Sequence, residues 1–200
     1  MKILKWSLIA GAIGILIYIG VSLWTFTVYS NSLDEFHTKQ ELIDNYKVKE
    51  KEIYEVKKYI TAIVPPNKAV HIEFDGNRKF FIFHLVDNGI YDSNWDLKIN
   101  SKKADTLLQK LGWTRETLII LKDKLHKANC ISVASGNPCN IGWQRSGMGK
   151  YFYNIFDTPI SDRLMKIYND SCQYIIYNNK LVLEYGGGAI GPQCFPNNGR

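Results

Sequence analysis

Between Trp6 and Asn31 the chain carries no charged residue, and most positions are Leu, Ile, Val, Ala, Gly or aromatic. Trp6 to Tyr29 would make about 36 Å of helix, against a hydrocarbon core of about 30 Å. The run is therefore long enough to span a bilayer with some tilt. Trp6 stands at one end, and Trp24 and Tyr29 near the other, where aromatic rings favour the headgroup level. Ala10, Gly11 and Gly14 form a small face of the kind that admits a second helix. A cleaved signal peptide is the rival reading. Its apolar stretch is usually about 7–15 residues and ends at a small-residue site. This stretch is longer, and Val28-Tyr29-Ser30 matches such a site poorly. Leu8-Ile9-Ala10-Gly11 begins like a lipobox, but Ala12 stands where the acylated cysteine is required.

The flanks set the expected orientation. Lys2 and Lys5 precede the run, whereas Asp34, Glu35, Glu41 and Asp44 follow it against Lys39. Positive charge stays on the cytoplasmic side, so residues 31–200 are expected outside. All four cysteines, Cys130, Cys139, Cys172 and Cys194, lie in that part. An oxidising compartment would allow two disulfides. Short loops close at the lowest entropic cost, which favours Cys130–Cys139 and Cys172–Cys194. Zinc ligation needs Cys-x-x-Cys or closely spaced Cys/His pairs, and the sequence has neither.

Charge narrows the partners. Removing Lys2 and Lys5 from 25 basic residues leaves 23 against 19 acidic, a net of +4 for residues 31–200. The excess is scattered, which argues against nucleic acid. The expected partners are the bilayer, through residues 6–29, and another envelope protein.

Past the apolar run, Ser32 and Glu35 form a capping box. Leu42, Tyr46, Ile53, Val56, Ile60 and Ile63 then recur at helical intervals. This predicts an amphipathic helix or stalk over 32–64, with a break near 47–51 and an end before Pro65-Pro66. Ala69–Phe74 and Lys79–Leu85 alternate around Asp75-Gly76-Asn77-Arg78, a hairpin signal. That register would place Val70, Ile72 and Phe74 with Phe81 and Phe83. His71 and His84 would lie diagonally on one face beside Glu73, a set that could hold a metal. No metal or other cofactor is expected from the sequence as a whole.

Trp95–Ile99 reads as a third strand. Ser101 can cap a helix to Leu111 that Gly112 ends. Thr114 can cap Arg115–Lys127, with Leu118, Ile119, Leu121 and Leu125 buried. The pair suggests a helix-turn-helix, but the apolar second helix argues against that use. Further strands are predicted at Ile131–Ala134, Asn140–Gln144, Lys150–Phe156, Gln173–Tyr177 and Lys180–Tyr185. The expected fold is α+β: a transmembrane helix over 1–31, the helix over 32–64, and an extracytoplasmic domain over 65–200. That domain would hold a largely antiparallel sheet and two short helices. The layout of an apolar helix, an amphipathic helix and a sheet with late cysteines resembles type IV pilins. Their signature Glu within the apolar helix is absent, since no acid precedes Asp34.

Chemistry-bearing motifs are sparse. Gln144 to Lys150 combines glycines with Arg145 and Lys150, a loop that could turn backbone N–H groups toward an anion. It is not a P-loop, because Gln144 and Tyr151 stand where Gly and Ser/Thr are needed. Gly186-Gly187-Gly188 and Gly191-Pro192 form a second glycine cluster beside Glu184 and Tyr185. Arg145, Ser146, Gly147, Gly149, Lys150, Glu184, Tyr185 and Gly187 are thus the candidate contact residues. No nucleophile motif is present. The leading expectation is a membrane-anchored, non-enzymatic binding or interaction module of the bacterial envelope. The alternative is a hydrolase-like enzyme with a site near Arg145 and Glu184. An enzyme should bring these groups into one deep pocket, and a binding module should present a broad apolar or aromatic patch.

Overall fold

The structure, a computed structural model, describes residues 15, 18–22, 37–146, 149–169, 172–186 and 191–196. Residues 15 and 18–22 are helical. The rest of the predicted span, and the Ser32 capping box, lie outside the described residues. Among the described residues no helix is long and apolar enough to cross a membrane. The chain divides into two units, Met1–Phe36 and His37–Arg200, and the second carries the fold below.

A capping box also opens its first helix, formed by Thr38 and Glu41 and placed directly before the apolar stripe. Helix α1 runs Lys39–Ile63 and buries Leu42, Tyr46, Ile53, Val56 and Ile60. Its backbone departs from helical geometry at Lys49. There the stripe breaks, with Lys49 and Glu50 filling the turn between Tyr46 and Ile53. At the far end Trp113 Nε1 donates to Ile63 O at 2.7 Å, satisfying a carbonyl the helix itself leaves open. The helix belongs to the same compact unit as the sheet.

Strands β1 (Lys68–Asp75), β2 (Lys79–Asp87), β3 (Ile90–Asp92) and β4 (Trp95–Lys98) come next. Helices α2 (Lys102–Leu111) and α3 (Arg115–Lys127) follow, capped by Ser101 and Thr114. Then come β5 (Ser132–Ala134), β6 (Cys139–Ser146), β7 (Gly149–Ile155), α4 (Asp162–Tyr168), β8 (Tyr174–Asn178) and β9 (Leu181–Gly186). The strands make one antiparallel sheet in the order β3-β2-β1-β5-β6-β7-β9-β8, with β4 also pairing with β2. Strand β3 and helix α4 were not anticipated from the sequence.

One face of this sheet packs on helices α1 to α3 through Ile72, Phe83, Val133, Ile141, Tyr153 and Leu183. A β-bulge between Glu73 and Phe74 pairs Phe74 with Phe80. It brings Phe80, not Phe81, into the core beside Phe83, with ring centroids 4.9 Å apart. Phe81 is turned to the other face. Ile119 was expected inside but is 68% exposed. Its helix buries the Leu118, Leu121 and Leu125 stripe instead.

The cysteines divide differently from expectation. Cys172 and Cys194 form a disulfide. Cys130 and Cys139 are free and buried, so the predicted bridge between them is overturned. The reason is the β5–β6 hairpin. Ile131 N–H bonds Gly142 O, which places Cys130 at least three strand residues from Cys139. That is about 10 Å along a strand, beyond the reach of a disulfide. Burial pushes the Cys139 thiol up to about 12 and raises that of Cys130 as well.

Candidate functional site

The sheet face opposite the three helices carries the polar residues. Alternation along β1 sends Val70 and Ile72 to the core and His71 and Glu73 to this face. Pairing sets the neighbours of Glu73: it lies opposite Ser132, which lies opposite Gly142, which lies opposite Phe152. Lys150 reaches back across this row. Its Nζ donates to Glu73 Oε2 at 2.7 Å and to Ser132 Oγ at 2.9 Å. Glu73, Ser132 and Lys150 are buried, at 2%, 0% and 4% exposure.

Gly142 is what makes room for this crossing. A β-carbon there would sit 2.1 Å from Ser132 Oγ and 3.1 Å from Lys150 Cε. Arg145 completes the cluster, its Nη2 lying 2.6 Å from Glu73 Oε1. Its Cζ lies 4.1 Å from the centroid of Phe81, over the ring that the bulge turned outward. Burial pulls the Lys150 ammonium below the usual lysine range, with Glu73 opposing. Farther along the face, Asn154 Nδ2 donates to Glu184 Oε2 at 2.7 Å and Gln173 Nε2 to Oε1 at 3.3 Å. Burial raises the Glu184 carboxyl above the carboxylate range, opposed by those two amides and by Lys150.

The predicted contact residues therefore separate. Arg145 and Lys150 converge on Glu73, and Glu184 sits on the same face. Ser146 and Gly149 pair with each other across the β6–β7 hairpin. Ser146 Oγ accepts from His37 N–H at 3.1 Å. Tyr185 O–H donates to Ser146 O at 3.3 Å, and its ring covers Gly149 so closely that a β-carbon would lie 2.7 Å from the hydroxyl. Gly147 and Gly187 lie outside the described residues. The loop expected to present N–H groups and cations to an anion instead sends Lys150 inward to a carboxylate. Period-two alternation placed Glu73 on a polar face, but only the pairing of four strands brings Lys150 to it.

His71 and His84 stand directly opposite each other rather than diagonally, because His71 pairs with His84 in the β1–β2 ladder. Their rings meet edge to face at 5.7 Å. Both Nε2 atoms are buried and find no hydrogen-bond partner among the described residues. Glu73, the third member of that set, is engaged by Arg145 and Lys150. Among the described residues no group of three or more His, Cys, Asp or Glu is placed to hold a metal.

Burial, with Lys150, His84 and Arg145 adding repulsion, pushes the His71 imidazole down to about 3. A base whose folded pKa lies below its unfolded value resists protonation only in the folded state. Stability is then present above the unfolded value of about 6.5 and is lost as pH falls toward 3. Between pH 6.5 and 5 this should cost about 1–2 kcal/mol. Urea titrations across that window should show the loss, and His71→Phe should flatten it.

Beyond His84, this face ends in an aromatic edge. Tyr91 O–H meets His84 Nδ1 at 2.7 Å. Trp95 packs its ring on His84 at 5.1 Å and on Phe81 at 5.8 Å. Yet Tyr91 and Trp95 remain 60% and 55% exposed, and Ile90 73%. Comparison with protein families, with characterised proteins and with solved structures returns no match for this chain.

Proposed function

We propose that the chain is a single-pass, membrane-tethered binding module of the bacterial envelope, docking an extended segment of a partner protein along its β3–β4 edge. The observation that carries this reading is the edge itself. Strand β3 ends the sheet, and together β3 and β4 expose Ile90, Tyr91 and Trp95. An unpaired edge with exposed large apolar side chains is a template for strand addition. Aromatic anchors of this kind carry most of the energy in protein interfaces. The uncharged run from Trp6 to Asn31 supports the tether.

The test is site-specific photocrosslinking in cells. A photoreactive residue at position 91 should give one discrete adduct that Trp95→Lys removes. The same residue at exposed position 47 should give none. Adducts that survive Trp95→Lys, or appear equally at position 47, would remove the edge from consideration.

The enzymatic alternative has one observation in its favour, the 2.9 Å contact between Lys150 Nζ and Ser132 Oγ. A Ser–Lys pair hydrolyses acyl bonds when a neutral lysine takes the serine proton. Here the lysine donates to both Ser132 and Glu73, and Ser132 has no exposed surface. A fluorophosphonate probe is expected to leave Ser132 unlabelled. Covalent labelling there would favour the hydrolase.

A further inference from the structure

At the end of the sheet where the β1–β2 turn meets the first turns of α3, an apolar pocket of about 370 Å³ opens. Phe74, Ile99, Leu118 and Ile119 supply its carbon surface, and Arg115 and Lys122 its charge. Among the described residues no carboxylate lines it. This volume falls within the range of small-molecule sites, about 300–1,000 Å³. Ile119, exposed beside the buried stripe of its helix, is one of the walls.

The cations decide what kind of molecule fits. Arg115 is neutralised by Asp105. Lys122 pairs with no carboxylate among the described residues: its Nζ donates to Gly76 O and Asn77 Oδ1, both uncharged acceptors. Those bonds hold the ammonium over the pocket rim, 5.8 Å from the centroid of Phe74. An adjoining recess shares Asn77 and Asn100 with the pocket and adds Asp75 and Lys79, which pair with each other, together with Arg78 and Lys98. Neither Arg78 nor Lys98 is within ion-pair distance of a carboxylate among the described residues. The acids nearby, Asp75 and Asp96, both bond Lys79. The mouth therefore keeps a positive excess while the floor is hydrocarbon.

We infer that this pocket binds an amphipathic anion, with an aliphatic chain against Ile119, Leu118 and Phe74 and the anionic head at Lys122. The inference is independent of the β3–β4 edge. Burial of several methylenes against this carbon surface would supply most of the affinity. The ammonium would fix the orientation and select against uncharged chains.

The chemistry could come from a free fatty acid or from an anionic lipid, and the experiment separates them. Full-length protein with methyl-labelled isoleucine, in phosphatidylcholine nanodiscs, is titrated with decanoate. The Ile119 and Ile99 methyl resonances should shift and saturate. Decanol, which lacks the charge, and acetate, which lacks the chain, should each bind at least tenfold more weakly. Lys122→Gln should weaken decanoate about fivefold or more, and Ile119→Asp should abolish the saturable shift of Ile99. If phosphatidylglycerol nanodiscs produce the same shifts with no added decanoate, the lipid headgroup is the source. Equal affinity for decanoate and decanol, an unchanged affinity in Lys122→Gln, or no saturable shift with either source would overturn the inference.

Discussion

Glu73→Ala is expected to lower the stability of residues 37–200 by about 3–5 kcal/mol, the largest effect of any single substitution on the polar face. The substitution removes the acceptor of a lysine that is only 4% exposed. Lys150 would be left with Ser132 as its remaining bond and with Arg145 as a like charge nearby. A buried ammonium without its counter-ion must find water or lose its proton, and both routes cost free energy. Removing both charges is different. Replacing the pair with apolar residues of similar volume is often neutral, so Glu73→Leu with Lys150→Met should recover most of the loss. Urea unfolding of the two single variants and the double variant measures the coupling directly. A loss below about 1 kcal/mol in Glu73→Ala would show that the cluster opens to solvent, which would restore the case for catalysis at Ser132.

Opening the Cys172–Cys194 bridge comes next in size. The bond closes a separation of 22 residues, which in the chain-entropy account is worth about 3 kcal/mol. It also holds the tail in place. Phe195 N–H donates to Cys172 O at 2.8 Å, and the Phe195 ring lies 5.8 Å from Tyr151 and 6.0 Å from Tyr185. Cys172→Ser should therefore lower the melting temperature by about 6–12 °C, given about 2–4 °C per kcal/mol for a unit of this size. Thiol trapping on the wild-type chain gives the companion result. Cys172 and Cys194 should be protected from alkylation until reduced. Cys130 and Cys139 should react only after unfolding, because burial keeps them as thiols. Two alkylated cysteines in the unreduced, denatured chain is the expected count. Four would mean that the bridge does not form in the cell.

Local chemistry made much of the fold legible. Ser101, Gly112 and Thr114 mark helix ends by side-chain caps and a left-handed backbone, and the helices begin and end at those residues. Pro65-Pro66 stops α1 for an equally local reason. Strand β3 was not anticipated, although the turn before it carries a local signal. Asn88 and Gly89 both take positive φ in the two-residue turn that leads into it, and Asn-Gly is the strongest short hairpin signal. The three strand residues after it are too few to show alternation. The extra residue of the β1–β2 bulge leaves no mark in the alternation, so Phe80 and Phe81 were exchanged between faces.

The site was far less legible, because its members are distant in the chain. Glu73 and Lys150 are separated by 77 positions and meet only through the β1-β5-β6-β7 ladder. Loop length alone favoured Cys130–Cys139, and it failed because the intervening residues form a hairpin that holds the two apart. What the residues determine unaided is local: caps, turns, apolar periodicity, and a charge-free run suited to hydrocarbon. Which cation reaches which anion, which cysteines can meet and which aromatic rings stay exposed were decided by strand register. A slip of one residue sends each side chain to the opposite face, and register is set by the packing of the whole sheet.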